Sequence, residues 1–182
     1  MRVRRLRIPK ERIGSVIGPD GEVKNRLEKE TETEIDLDSE TGEVIVKSSE
    51  EKPLQALAAC DIIKAVGRGF SPEHAFNLLD DDMYLEVIDI TRYTGGSEKA
   101  KSRLKGRVIG RGGRTRQAIE ENAEVFVSIY GKSIAIIGGP ERLQIAREAI
   151  AMLLDGAPHS AVYKFLEQKR RELKKRPDLW KK

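Results

Sequence analysis

Apolar residues in this chain follow two rhythms, period two and period three to four, and the succession of rhythms runs through twice. Residues 3–8 alternate as a strand does. Over 10–17, Ile13, Val16 and Ile17 share one face of a short helix. A glycine turn at 18–21 leads to a second helix over 23–31, with Val23 and Leu27 four apart on one face. Residues 33–38 alternate again, with Ile35 and Leu37 on one side, and 43–48 return after a turn at 40–42 as a hairpin partner. Pro53 suits the first turn of a helix reaching about Val66, where Gly67 and Gly69 stop it. The order is β-α-α-β-β-α.

A short linking helix comes next, with Ser71 as its cap and Pro72 in its first turn, and Asp80, Asp81 and Asp82 close it off. The same order then returns: a strand at 83–90, a loop at Gly95-Gly96, a helix at 98–109, a glycine turn at 110–113 and a helix at 115–121 with Ala118 and Ile119 inward. Strands at 125–130 and 133–137 turn around Gly131-Lys132, and a helix at 140–154 carries Leu143, Ala146, Ile150 and Leu153 on one stripe. A last helix from His159 to about Arg176 packs Val162, Phe165 and Leu166, and its polar end runs into a basic tail. The repeat is literal at the glycine turns. Val16-Ile-Gly-Pro-Asp-Gly21 returns as Val108-Ile-Gly-Arg-Gly-Gly113, 92 positions on, with Gly14 matched by Gly106, Leu27 by Ile119 and Glu28 by Glu120. With 182 residues, the repeat argues for two α+β domains of ordinary small size. The expected divisions are 1–70 for the first domain, 71–81 for the linking helix, 82–157 for the second domain and 158–182 for the terminal helix and tail.

Charge sharpens this picture. The net charge is only +4, yet residues 99–116 carry Lys99, Lys101, Arg103, Lys105, Arg107, Arg111, Arg114 and Arg116 with no acid among them. Residues 2–12 hold six basic groups against Glu11, whereas 28–51 hold ten acids against Lys29 and Lys47. The basic run brackets the second glycine turn. Glycine lets backbone approach a ligand without an intervening side chain, and a turn that opens a helix aims free N–H groups and the positive dipole end outward. Together these describe an anion site, and a nucleic-acid backbone fits it. Aromatic residues make up 5% of the chain, which argues against binding dominated by base stacking.

The two Val-Ile-Gly-x-x-Gly turns, each in this order of elements, resemble the KH family of RNA-binding modules in the form with an N-terminal strand and a C-terminal helix. The resemblance implies tandem type I KH domains, each a three-stranded antiparallel sheet backed by helices. It implies a GXXG loop that clamps about four nucleotides of single-stranded RNA. The whole chain is also similar to the two-KH small-subunit ribosome-assembly proteins of the partner-of-Nob family, in their short archaeal form. Asp82-Met-Tyr-Leu85, the stretch from Leu104 to Glu120 and Ala146-Arg-Glu-Ala149 carry that match. This second likeness implies an assembly factor that binds near the 3′ end of small-subunit ribosomal RNA. The partners implied are the end-processing nuclease and the alpha subunit of translation initiation factor two. The rival reading is a subunit that presents RNA within a degradation or translation-control complex.

At the second loop, Gly110, Gly112 and Gly113 are expected to admit the sugar-phosphate chain and Arg111 to add a charge-assisted phosphate contact, with Arg107, Arg114 and Arg116 widening the positive field. Bases are expected in an aliphatic groove of Val108, Ile109, Ile119 and the strand around Val127 and Ser128. The first loop, Gly18, Pro19, Asp20 and Gly21, departs from this. Pro19 removes a donor, and Asp20 and Glu22 bring negative charge that Lys24, Arg26 and the first strand's arginines must offset. It is expected to bind RNA more weakly or to face a protein.

Other chemistry is thin. Gly131-Lys-Ser133 resembles the end of a phosphate-binding P-loop but joins two strands rather than opening a helix. His74 and His159 lack metal-ligand spacing. Glu34, Asp36 and Asp38 share a strand face with no evident basic partner, which reads as a solvated surface. Cys60, the single cysteine, sits on an apolar helix face and excludes an intrachain disulfide. Trp180 in the tail is a candidate anchor for a partner. We therefore expect a monomeric cytoplasmic protein that is not an enzyme, needs no cofactor or metal, and has no membrane segment.

Overall fold

The protein's structure is a computed structural model in which residues 1–176 are described, so Trp180 lies outside the described residues. The chain divides into two compact units, the first being Met1–Leu85 and the second beginning at Glu86. In the first unit, β1 (Arg2–Arg7), α1 (Lys10–Ile17), α2 (Glu22–Thr31), β2 (Glu34–Leu37), β3 (Glu43–Ser48) and α3 (Pro53–Gly67) keep the expected order, and α4 (Pro72–Ala75) continues into a 3-10 turn at Phe76–Leu79. The division falls within β4 (Tyr84–Asp89), and the second unit continues with α5 (Thr91–Thr94), α6 (Glu98–Ile109), α7 (Arg114–Ala123), β5 (Phe126–Tyr130), β6 (Ser133–Gly138), α8 (Pro140–Leu154) and α9 (His159–Lys175). Single 3-10 turns at Pro19–Gly21 and Arg111–Gly113 fill the gaps between the paired helices.

Each sheet is three-stranded, in the order β1-β3-β2 and β4-β6-β5. The hairpins pair Ile35 with Val46 and Val127 with Ile136, which fixes the inward faces. The last strand thus becomes the central one, because it pairs back both to its hairpin neighbour and to the first strand. The second-unit core contains Ile90, Val108, Ile119, Ile134, Ile136, Ile150, Leu153, Val162 and Leu166. Burying a side chain of this size contributes about 1.5–3 kcal/mol before the entropy of ordering it is subtracted. β3 alternates, with Val44, Val46 and Ser48 buried and Glu43, Ile45 and Lys47 half-exposed, whereas all six residues of β6 are buried.

Local signals explain several boundaries. The Ser71 hydroxyl accepts from the His74 amide at 3.3 Å and the Ser97 hydroxyl from the Ala100 amide at 3.2 Å, so both helices start on capping serines. α2 and α7 end in the same manner, with Glu32 and Glu124 left-handed at φ 50° and 54°. The Thr33 and Val125 amides then reach back to the Glu28 and Glu120 carbonyls. The helical turn α5 falls where the sequence suggested only a loop. Asp89 accounts for it, since its Oδ1 accepts from the Thr91 amide at 2.9 Å and from the Thr91 hydroxyl at 2.6 Å. These bonds hold the Asp89 carboxyl below the usual range. Cys60 is buried on α3, and that burial pushes its thiol up.

The acidic face of β2 corrects one expectation. Lys47 does accompany it, because the hairpin register sets Glu34 directly opposite Lys47. Its ammonium lies 3.2 Å from Glu34 and 2.7 Å from Asp36. The hydrogen bond from Lys47 lowers the Asp36 pKa, and Asp36 in turn raises that of Lys47. Among the described residues there is no helix long and apolar enough to cross a membrane and no group of three or more His, Cys, Asp or Glu placed to hold a metal.

Candidate nucleic-acid interface

The glycine turns are built alike. α1 and α6 each close on a glycine, Gly18 and Gly110, whose amides donate to the Gly14 and Gly106 carbonyls at 2.9 Å. Both glycines have φ 73° with extended ψ, a conformation that only glycine adopts readily. Packing adds a second restriction. A Cβ on Gly110 would lie 2.7 Å from Thr115 Cβ, and one on Gly18 would lie 2.8 Å from Val23 Cβ. The first turn of the following helix therefore presses against the glycine that begins the loop. Gly21 and Gly113, at φ 75° and 76°, then open α2 and α7.

In the second unit the loop stands free. A Cβ on Gly112 or Gly113 would meet nothing within 4 Å, and Gly112 lies at φ 62°. The Gly110 and Gly113 amides are used inside the turn, on Gly106 and Gly110, and the Arg114 amide donates to the Arg111 carbonyl. The Arg111 and Gly112 N–H groups are therefore the ones the loop can offer. Arg111 and Arg114 are exposed, and among the described residues neither forms an ion pair.

Beside the loop lies an open cleft of about 530 Å³, floored by Lys101, Ser102, Lys105, Gly106 and Ile109 of α6, with Glu98 at its end and Gly131 of the β5–β6 turn across it. Gly106 keeps the floor low, since a Cβ there would meet nothing within 4 Å. Ile109 supplies the aliphatic surface at 36% exposure. Lys101 is partly neutralised by Glu98, 2.8 Å away. Among the described strands β5 pairs with β6 alone, so it stands at the sheet edge, where an extended ligand can lie alongside it. The basic run that pointed to this cleft includes Lys101 and Lys105, but neither they nor Gly106 were among the residues expected to bind RNA. The glycine repeat at 14 and 106 was the signal that could have placed them on the floor.

Several expected site residues sit elsewhere. Arg107 is bonded within the protein: its Nε donates to the Leu153 carbonyl at 2.9 Å and a terminal nitrogen donates to the Ala157 carbonyl. It caps the end of α8. Arg12 of α1 does the same for α3, donating to the Val66 carbonyl at 2.8 Å and the Phe70 carbonyl at 3.0 Å. Val108 and Ile119 are 0% exposed and Val127 5%, so they belong to the core under the cleft rather than to its lining. Ser128 is also buried, at 9%. Arg116 pairs with Glu120 at 3.3 Å, a half-exposed contact of small energetic weight.

The first loop has the same shape and different chemistry. Pro19 occupies the place of Arg111, so the amide that Arg111 offers is absent. Asp20 occupies the place of Gly112 and is forced to φ 52°. Two of the cations expected to offset Asp20 are already engaged: Lys24 lies 3.5 Å from Glu28 and Arg26 2.6 Å from Glu30. Arg26 also stacks over the Phe76 ring at 3.9 Å, which fastens the linking segment to α2.

Comparison with known proteins gives a consistent result. Residues 84–171 match the model of the eukaryotic-type KH domain (KH type I) found as the second domain of PNO1 proteins, and residues 3–65 match the KH domain model. The KH domain-containing protein MJ0443 of Methanocaldococcus jannaschii is 46% identical over 179 residues, covering 97% of this chain and 78% of that protein. The pre-rRNA-processing protein PNO1 of Coccidioides immitis is 38% identical over 104 residues, covering 57% of this chain and 41% of that protein. The chain thus spans less than half the length of such PNO1 relatives. Among solved structures, Dim2p of Pyrococcus horikoshii superposes with a TM-score of 0.86 at 48% identity, covering 92% of this chain and 99% of that one. A chain from the a/eIF2alpha–aDim2p–rRNA complex of the same organism superposes with a TM-score of 0.88 at 47% identity, covering 94% and 95%.

Proposed function

This chain belongs to the family of two-KH-domain proteins that includes archaeal Dim2 and eukaryotic PNO1, and on that premise we propose that it is a ribosome-assembly factor that binds single-stranded RNA near the 3′ end of small-subunit ribosomal RNA. The observation that carries this reading is the second loop. Three glycines at positive φ present the Arg111 and Gly112 amides, and two exposed guanidinium groups, beside a cleft lined by Lys101, Lys105, Gly106 and Ile109 and closed across by Gly131 of the β5–β6 turn. A phosphate fits the amides and Arg111, and unstacked bases fit Ile109 and the edge of β5. The Pyrococcus relative, solved with rRNA and a/eIF2alpha, supports the same RNA class and an initiation-factor alpha subunit as partner. The 3′-end-processing nuclease is the second protein partner we propose. The chain acts as a monomeric cytoplasmic binder, and cleavage belongs to the nuclease.

Salt tests the electrostatic core of this reading. Affinity for a single-stranded RNA oligonucleotide, read by fluorescence anisotropy, should fall steeply and log-linearly with salt. Arg111→Ala should lower that slope by roughly one neutralised phosphate. Binding that ignores salt, or an unchanged slope in the variant, removes the phosphate grip. Sedimentation separates this role from RNA presentation in a degradation complex, since an assembly factor travels with precursor small subunits.

A further inference from the structure

The hydrogen bonds at the second loop continue past it into α9. On one side of the loop, His159 donates from Nε2 to the Arg107 carbonyl at 3.0 Å, in the last turn of α6. On the other, the Tyr163 hydroxyl is hydrogen-bonded to the Thr115 hydroxyl at 3.0 Å, in the first turn of α7. His159 and Tyr163 are one helical turn apart on α9, so one helix face holds both ends of the loop. Thr115 is 1% exposed, and its side chain is the group that a Cβ on Gly110 would strike. A fixed Thr115 therefore fixes Gly110. Arg107 adds a third tie by donating to the carbonyls of Leu153 and Ala157, just before α9 begins. Val162 and Leu166 bury α9 in the same core, which anchors the helix. The first loop is held differently. Val23 takes the place of Thr115 and has no hydroxyl to offer, and the linking segment meets α2 further along, at Arg26.

We propose that α9 is a brace that holds the second GXXG loop in its binding shape, with Tyr163 and His159 as positioning residues that never touch the RNA. A loop already in the bound shape loses less conformational freedom on binding, so its affinity rises without any added contact. The mechanical half of this proposal concerns the free protein, and only the consequence for affinity rests on the RNA reading.

The test uses the full chain with Tyr163→Phe, Thr115→Val and the double variant. Thr115→Val copies the valine of the first loop and keeps the side-chain shape, so it carries the test if Tyr163→Phe does not fold. In the free protein, amide hydrogen exchange at Gly110, Gly113 and Arg114, whose N–H groups are bonded inside the turn, should speed up by about three- to tenfold in each single variant, the range of one ordinary hydrogen bond. RNA affinity should weaken by a similar factor with the salt slope unchanged, because no phosphate contact is lost. The double variant should lose no more than either single one, since both remove the same bond. Unchanged loop exchange in the singles overturns the brace, as do losses that add in the double. A salt slope that falls in Tyr163→Phe as it does in Arg111→Ala would make Tyr163 an RNA contact and overturn the proposal as well. If instead the loop amides loosen as expected while Arg111→Asp leaves RNA binding intact, the brace stands and the RNA reading fails.

Discussion

Gly18 and Gly110 share φ 73° and differ by three degrees in ψ, and Gly21 and Gly113 match as closely. Between these glycines the two loops share no residue: Pro19 and Asp20 in one, Arg111 and Gly112 in the other. The backbone path is set by glycine and by the pressure of the next helix on it. What the path can hold is set by the two residues in between. One loop offers two amides and a guanidinium; the other offers one amide and a carboxylate held at positive φ. Support differs as well, since α9 ties down the second loop by hydroxyl and imidazole, while at the first loop the linking segment reaches α2 through Phe76 and Arg26. A repeated GXXG is thus evidence of a repeated shape, and function has to be argued loop by loop.

The strongest way to break this comparison is to exchange charge. Arg111→Asp should weaken RNA binding on the order of 30- to 100-fold, because a charge-assisted bond is replaced by repulsion. Asp20→Lys should leave binding unchanged or improve it by about two- to fivefold. Equal losses in the two loops, measured by anisotropy at one fixed salt concentration, would put both loops on the RNA. A second pair sharpens the distinction between shape and function. Gly18→Ala and Gly110→Ala should each destabilise the protein by about 1–3 kcal/mol in denaturant unfolding, through the same positive φ and the same steric collision. Only Gly110→Ala should also cost RNA affinity. The smallest expected effect lies on the acidic face of the first unit. Asp36 titrates below its ordinary value because of Lys47, so the pair stabilises the fold above the unfolded carboxylate pKa, and that contribution disappears as pH falls through the depressed folded value. Lys47→Ala should return the Asp36 titration, followed by NMR, to the ordinary carboxylate range. RNA binding at the second loop should not change, and a change would mean that the first sheet takes part.

Much of this was legible in the chain. Apart from the α5 turn, the element order, the two glycine turns and the basic run about the second one could be read directly, because periodicity, glycine and charge are local properties. The misreadings have a common cause. Val108, Ile119 and Val127 are apolar residues beside the loop, and sequence cannot say which apolar side chains face the core and which face a ligand. Lys47 lies 13 residues from Glu34 and becomes its neighbour only through hairpin register. Arg107 belongs to the basic run by position and to the α8 cap by contact, a contact made across 46 residues.

The sequence by itself determined that there are two modules, where each glycine bend lies and which bend carries the cations, since these depend on residue type and on spacing within a few turns. The tertiary structure decided which cations are drawn into caps and ion pairs, how low the cleft floor lies and what steadies the loop. Those depend on groups brought together from distant parts of the chain, and only the closing of the core fixes the distances at which hydrogen bonds and ion pairs form.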